Sequence, residues 1–327
     1  MKIIRSSWFP VLLGIAFIIA MLNQFFFPSG KKENIQTAEE KKQWQAPDIN
    51  LLPSTPEGDR IRYGRDLIVN TSKYFGPAGA VAAITNGMNC QNCHLEAGTR
   101  AFGNSFAAVA SGYPKYRDRS GMVESIEFRI NDCMQRSLNG KGIDSLSKEM
   151  RAMVAYFKWL GKDVKKGEKP YGSGIVEIPF LNRAADPQKG KIIYEHSCRR
   201  CHGINGEGVI DVDGVGYRYP PLWGDHSFNV SAGLFRLSRM AAFIKYNMPF
   251  DLTLQAPQLS DEEAWDVAAF ISSHPRPEKL FPEDWPKLDT KPVDYPFGPY
   301  TDGFSELQHK YGPFAPIKEA KEKNKKP

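Results

Sequence analysis

Cys90-Gln91-Asn92-Cys93-His94 and Cys198-Arg199-Arg200-Cys201-His202 decide the reading of this chain. Both have the form C-x-x-C-H, the attachment signal for c-type haem. Two cysteines bond the porphyrin and the histidine ligates its iron. Cys90, Cys93, Cys198 and Cys201 are therefore the attachment points, and His94 and His202 the proximal ligands, of two covalently bound haem c groups. A zinc reading fits poorly. Zinc ribbons separate their cysteine pairs by roughly 15–20 residues, whereas more than a hundred intervene here and a histidine follows each pair directly.

Working outward, the two motifs belong to two copies of one module. After His202 come Pro220-Pro221-Leu222-Trp223-Gly224, then Phe243-Ile-Lys-Tyr-Asn-Met248-Pro249, then Leu259-Ser260 and Val267-Ala-Ala-Phe270. After His94 come Tyr113-Pro114, then Phe128-Arg-Ile-Asn-Asp-Cys133, then Leu146-Ser147 and Val154-Ala-Tyr-Phe157. Phe-x4-Met in one copy registers with Phe-x4-Cys in the other. Met248 is thus the sixth ligand expected at the second iron, with Lys245 a nearby nitrogen rival and a packed core methionine the bland alternative. Cys133 holds the equivalent place at the first iron; its bland alternative is a small buried cysteine. A His/Met pair raises a haem potential, while a thiolate pushes electron density onto iron and lowers it. The mismatch turns an electron carrier into a candidate redox enzyme.

Composition fits an exported protein of two small domains. The chain has 327 residues and a net charge of +6. Five lysines and two glutamates fall in Lys318–Pro327, a tail expected to be solvated and disordered. No basic patch is interleaved with aromatics, which argues against nucleic-acid binding. Four of the five cysteines are taken by haem, leaving Cys133 no disulfide partner. Trp8 to Phe27 is a largely apolar run of 20 residues, long enough for one bilayer crossing. Lys2 and Arg5 keep the short leader inside. An uncleaved anchor on the periplasmic side of the inner membrane is favoured; a cleaved signal and a soluble periplasmic protein is the alternative.

The organisation follows: membrane anchor or signal 1–28, spacer 29–59, first cytochrome c domain 60–165, linker 166–183, second cytochrome c domain 184–275, and an extension with a disordered tail over 276–327. Met150, Met153, Val154, Phe157 and Leu160 recur at helical spacing after Ser147. Asp186-Pro187 reads as an N-cap followed by a first-turn proline. Ser260-x-x-Glu263 reads as a capping box before a second apolar face. The expected fold is all-α, with two class I cytochrome c domains in tandem, an N-terminal transmembrane helix and an irregular C-terminal extension.

The stretch Tyr116-Arg-Asp-Arg119-Ser-Gly-Met-Val-Glu-Ser-Ile-Glu-Phe-Arg129-Ile-Asn-Asp-Cys133-Met-Gln-Arg-Ser137-Leu-Asn-Gly140 resembles the active-site segment of dihaem thiosulfate dehydrogenases. The resemblance extends from about Arg60 to Ile317 and includes Gly298-Pro-Tyr and Gln308-His309-Lys310. It implies an oxidoreductase interconverting two thiosulfates and tetrathionate. Arg119, Arg129 and Ser137 would hold substrate beside a His94/Cys133 haem, with Cys133 also a transient nucleophile. The second haem would pass electrons to an external redox partner, a cytochrome or a quinol-linked protein. Some family members place a lysine before the second methionine and exchange ligands; Asn247 stands there in this chain, so permanent His/Met ligation is the simpler expectation. The bland reading of each arginine is a haem-propionate or surface ion pair, applied also to Arg136, Arg199 and Arg200, and that of Ser137 is a helix-end cap. Two rival functions remain: a tethered dihaem electron shuttle, and the haem subunit of a thiosulfate-loading sulfur transferase.

Overall fold

Each module is built on a helix pair that crosses at a glycine. A computed structural model describes residues 43–250 and 254–323. The anchor or signal over 1–28 lies outside the described residues, as do residues 29–42 of the spacer. Among the described residues no helix is long and apolar enough to cross a membrane.

In the first module, helix α1 (Pro56–Val69) precedes the haem motif. It starts within the stretch read as spacer, because Thr55 accepts from Gly58 N at 3.2 Å and Pro56 fits the first turn. Just ahead of it, Trp44, Ile49 and Leu52 pack on the first core. A two-stranded antiparallel ribbon, β1 (Lys115–Arg117) with β2 (Met122–Glu124), follows the motif. Then come helix α2 (Ile126–Arg136) and the closing helix α3 (Lys148–Leu160). Ser147 caps α3 by accepting from Met150 N at 3.1 Å. The predicted stripe of Met150, Met153, Val154, Phe157 and Leu160 is buried.

The second module repeats this plan. Helix α4 (Pro187–Ser197) is capped by Asp186, which accepts from Gln188 N at 2.8 Å. A second ribbon pairs β3 (Val209–Ile210) with β4 (Tyr217–Tyr219). Helix α5 (Leu237–Asn247) ends at Met248, and α6 (Asp261–Ser273) carries the full Ser260/Glu263 capping box. The crossings match closely. A Cβ on Gly64 of α1 would lie 2.0 Å from the Ala152 carbonyl of α3, and one on Gly190 of α4 would lie 1.9 Å from the Asp266 carbonyl of α6. Backbone would have to move for any side chain at either point.

Two expectations need correction. The fold is helix-rich rather than purely α, since each module carries a short ribbon between its haem motif and its distal ligand segment. The extension is also less irregular than expected. It contains α7 (Glu306–Tyr311) and α8 (Ala315–Lys323), the latter running into the stretch expected to be disordered. Ser305 caps α7 through Gln308 N at 3.2 Å, and Phe314 and Ile317 bury in the second core. That burial supplies the stability such short helices lack alone.

The modules share a wall stitched by asparagine amides. Asn86 donates to Ser227 O at 3.0 Å, Asn92 to Tyr217 O at 3.1 Å, Asn229 to Gln135 O at 2.9 Å and Asn247 to Phe102 O at 3.2 Å. Leu95, next to His94, packs into the core of the second module.

Asp294 fastens the extension and gives a testable energetic claim. It is 1% exposed and accepts from Arg236 Nε and Nη2 at 2.9 and 2.6 Å, and from Ser238 N at 3.2 Å. Burial would raise its carboxyl, but Arg236 and the Ser238 donors outweigh this and hold it below the usual carboxylate range. Its contribution is therefore present above about pH 4 and lost as the pH falls toward the lower folded-state value. Removing one partner of a buried pair costs about 3–5 kcal/mol. Asp294→Ala should lose that much in denaturant unfolding of the holoprotein at pH 7, and visibly less at pH 3. An equal loss at both pH values would remove the ionic account.

Candidate active site at the first haem motif

The first haem motif fits its group on observations within the protein alone. No cysteine pairs with another, so the four motif cysteines stay available for thioether bonds to the porphyrin. Cys90 and Cys93 pack against the first core, where burial disfavours a free thiolate at either. Burial also pushes His94 down to about 4, leaving a neutral imidazole at pH 7. His94 Nδ1 donates to the Asn104 carbonyl at 2.7 Å. That assigns the proton to Nδ1 and leaves Nε2 to a metal; among the described residues Nε2 meets a long Asn104 amide contact of 3.5 Å. The second motif repeats the device, with His202 Nδ1 donating to Pro220 O at 2.9 Å.

Cys133 lies within electrostatic reach of both thiols of the first motif, whose proton affinities it raises. Helix α2 makes this possible. Ser125 caps it through Phe128 N at 3.2 Å, and Ile130 and Met134 bury its inner face. Arg129, Cys133 and Ser137 fall at successive four-residue steps, so they share one side of the helix. Ser137 is the C-cap, its N–H donating to the Cys133 carbonyl at 2.9 Å. Burial pushes the Cys133 thiol up, while Arg129 pulls it the other way. The strongest influence on Arg129 is in turn Cys133, which raises its guanidinium further above its ordinary value. Arg129 also disfavours charge on His94. The structure therefore brings His94, Cys133 and Arg129 together.

Arg119 stands further out. It pairs with Asp284 through Nε at 2.9 Å and donates from Nη2 to Ser231 O at 2.6 Å and Tyr295 Oη at 3.2 Å. It is linked to Arg129 by a ladder that the sequence did not reveal. Asp284 accepts from Arg136 Nη1 and Nη2, both at 2.8 Å. Asp132 accepts from both Arg136 and Arg129. Burial would raise Asp132, but Arg129 and Arg136 outweigh it and hold it ionised. Arg136 is 7% exposed, with its guanidinium 3.7 Å from the Phe281 ring centroid, so a surface place for it is corrected. Arg117 on β1 also bears on Cys133. The ladder carries three cations and two anions, so it leaves a net positive wall beside Cys133.

At the second haem motif, Met248 follows α5 directly and borders the same core as Cys198. Lys245, its rival, is turned into an ion pair with Asp261. Asn247 is buried, its amide held by Phe102 O and Phe243 O at 3.2 and 3.1 Å.

Comparison with known proteins bears on both modules. Residues 80–165 match the family model described as SoxA/TsdA, cytochrome c domain, and residues 187–275 match Cytochrome c. Two haem c groups are thus bound covalently, one in each module. The chain is 39% identical to a thiosulfate dehydrogenase of Psychrobacter arcticus over 77% of its own length and 75% of the relative's. It is 40% identical to that of Allochromatium vinosum over 72% and 85%. Among solved structures it resembles thiosulfate dehydrogenase (TsdBA) from Marichromatium purpuratum, in its as-isolated form. The TM-score is 0.67 at 31% identity, covering 79% of this chain and 53% of the other, so the match spans about half that longer chain.

Proposed function

The chain belongs to the thiosulfate dehydrogenase family, and from that premise we propose that it interconverts two thiosulfates and tetrathionate at a haem held by His94 and Cys133. The observation that carries this reading is Cys133 on α2, a helix whose Ile130 and Met134 enter the core that Cys90 and Cys93 border, with Cys133 in electrostatic reach of Arg129 and of both motif cysteines. When bound, the haem supplies a one-electron couple and an iron that can take or release the Cys133 sulfur.

The protein's own residues do the rest. The Cys133 thiolate bonds the outer sulfur of one thiosulfate, giving a cysteinyl S–S–sulfonate and releasing two electrons. A second thiosulfate attacks that outer sulfur. The new S–S bond makes tetrathionate, and the Cys133 S–S bond breaks to return the thiolate. Two dianions must meet in this sequence. Even single like charges at 4 Å repel by about 4 kcal/mol at an effective dielectric of 20. Arg129 offsets that repulsion at the sulfur, Arg119 acts from further along the same cationic wall, and the Ser137 hydroxyl serves sulfonate oxygens at the helix end. Assays of the purified holoprotein in both directions, thiosulfate with an oxidant and tetrathionate with a reductant, test the reading. Absence of turnover both ways, with both haems attached, would remove it.

Electrons pass through the second haem, ligated by His202 and Met248, to an external cytochrome or quinol-linked partner. The module wall at Leu95, Asn92 and Tyr217 supports a short route between the two motifs. The apolar stretch Trp8–Phe27 supports a periplasmic location, tethered or after cleavage. Because Lys245 is engaged by Asp261, Met248 alone should hold the distal side of the second iron. The near-infrared thioether band should be present in the oxidised protein and return unchanged after redox cycling. A lysine-ligated ferric form that disappears in Lys245→Ala would contradict this assignment.

A further inference from the structure

Arg276 is a buried cation with no acidic partner among the described residues. It is 7% exposed and lies just past the end of α6. Its guanidinium is sandwiched between Phe228 and Phe235, 4.3 and 4.6 Å from their ring centroids. Nη2 donates to the carbonyls of Leu222 and Ile271 at 3.2 and 3.1 Å. Nε and Nη1 are buried and have no hydrogen-bond partner. Three of the five N–H donors of a guanidinium are therefore unused. An unpaired buried charge is among the costliest arrangements a fold can hold. Nothing charged offsets it: burial alone pushes this guanidinium down to about 9.

That place adjoins the second haem motif. The carbonyl of Pro220 orients His202 through Nδ1 at 2.9 Å, and the carbonyl of Leu222, two residues on, receives Arg276. Two residues of chain reach at most about 7 Å. Leu222 N donates in turn to Gly206 O at 2.8 Å, in the loop that leaves the motif. His274, two residues before Arg276, stacks on Trp223 with centroids 4.0 Å apart. The same short loop, residues 220–222, therefore holds the proximal histidine and the guanidinium. The anion that c-type haem brings into such a pocket is a propionate carboxylate.

We propose that Arg276 binds a propionate of the second haem through its Nε and Nη1 donors. The contact fixes the haem edge and keeps a positive charge beside the propionate. It does not depend on which reaction the first haem performs. Loss of that charge makes the ferric state of the second haem relatively more stable, so its potential falls.

Spectroelectrochemical titration of purified holoprotein, resolving the two haems, tests this. Arg276→Gln should shift the second haem to lower potential and leave the first in place. Arg276→Lys should restore most of that shift. The propionate bending band in resonance Raman spectra should move in both variants, because donor geometry changes in both. A parent-like potential and a parent-like propionate band in Arg276→Gln would overturn the assignment, and so would a shift confined to the first haem. If the glutamine variant yields no holoprotein, Arg276→Lys carries the test alone. There an unmoved propionate band overturns the proposal and a moved band supports it.

Discussion

Cys133→Ala should reduce thiosulfate and tetrathionate turnover by more than about a thousandfold while both haems stay attached. The size follows from the role: removing a nucleophile costs orders of magnitude more than removing a binding contact. Attachment should survive because the thioether cysteines, Cys90 and Cys93, are separate residues on a separate segment. The fold should survive too. Cys133 is half-buried, whereas its helix is seated by Ile130 and Met134. Steady-state rates in both directions, with haem content by pyridine haemochrome, measure this. If the variant keeps a tenth of parent turnover, Cys133 is a tuning ligand and bonds no substrate sulfur.

Arg129→Gln should lower turnover efficiency by about tenfold to a hundredfold. A lost charge-assisted hydrogen bond is worth about 1.5–3 kcal/mol. Glutamine keeps some donors but loses the charge, and Asp132 then loses one of its two arginines. Lysine should rescue only in part, since it keeps the charge without the planar donor fork. Both haem spectra, and electron exchange with an artificial partner, should match the parent. Arg119→Gln should cost less at the reaction and more in stability, because Arg119 is committed to Asp284, Ser231 and Tyr295. Full turnover by Arg129→Gln would place the anion site elsewhere.

What was legible from residue order was local. The haem motifs are contiguous, and the caps at Ser147, Asp186 and Ser260 lie within three residues of what they bind. The register that sets Cys133 against Met248 needs only the internal repeat. The ladder behind Arg129 was not legible, because its middle rung is remote. Asp284 is 148 residues from Arg136 and 165 from Arg119. Only the pairs of Asp132 with Arg129 and Arg136, at three- and four-residue spacing, left a trace, and such pairs are common on solvated helix faces. Arg276 gave no periodic signal either, since it follows a helix inside a proline-flanked loop. Helices α7 and α8, six and nine residues long, fall below the window in which an apolar period shows. Their stability comes from Phe314 and Ile317 meeting the second core, a contact no neighbouring residue announces.

The central claim is that Cys133 sulfur ligates the first haem beside Arg129. Electron paramagnetic resonance of the oxidised parent, recorded beside Cys133→Met, tests it most directly. The account predicts two distinct low-spin haems in the parent, one with the narrow anisotropy of a thiolate ligand. In Cys133→Met that signal should be replaced by one of His/Met type, with a raised potential, while the second haem is unaltered. Coincident spectra from parent and variant would show that Cys133 is not a ligand and would contradict the account.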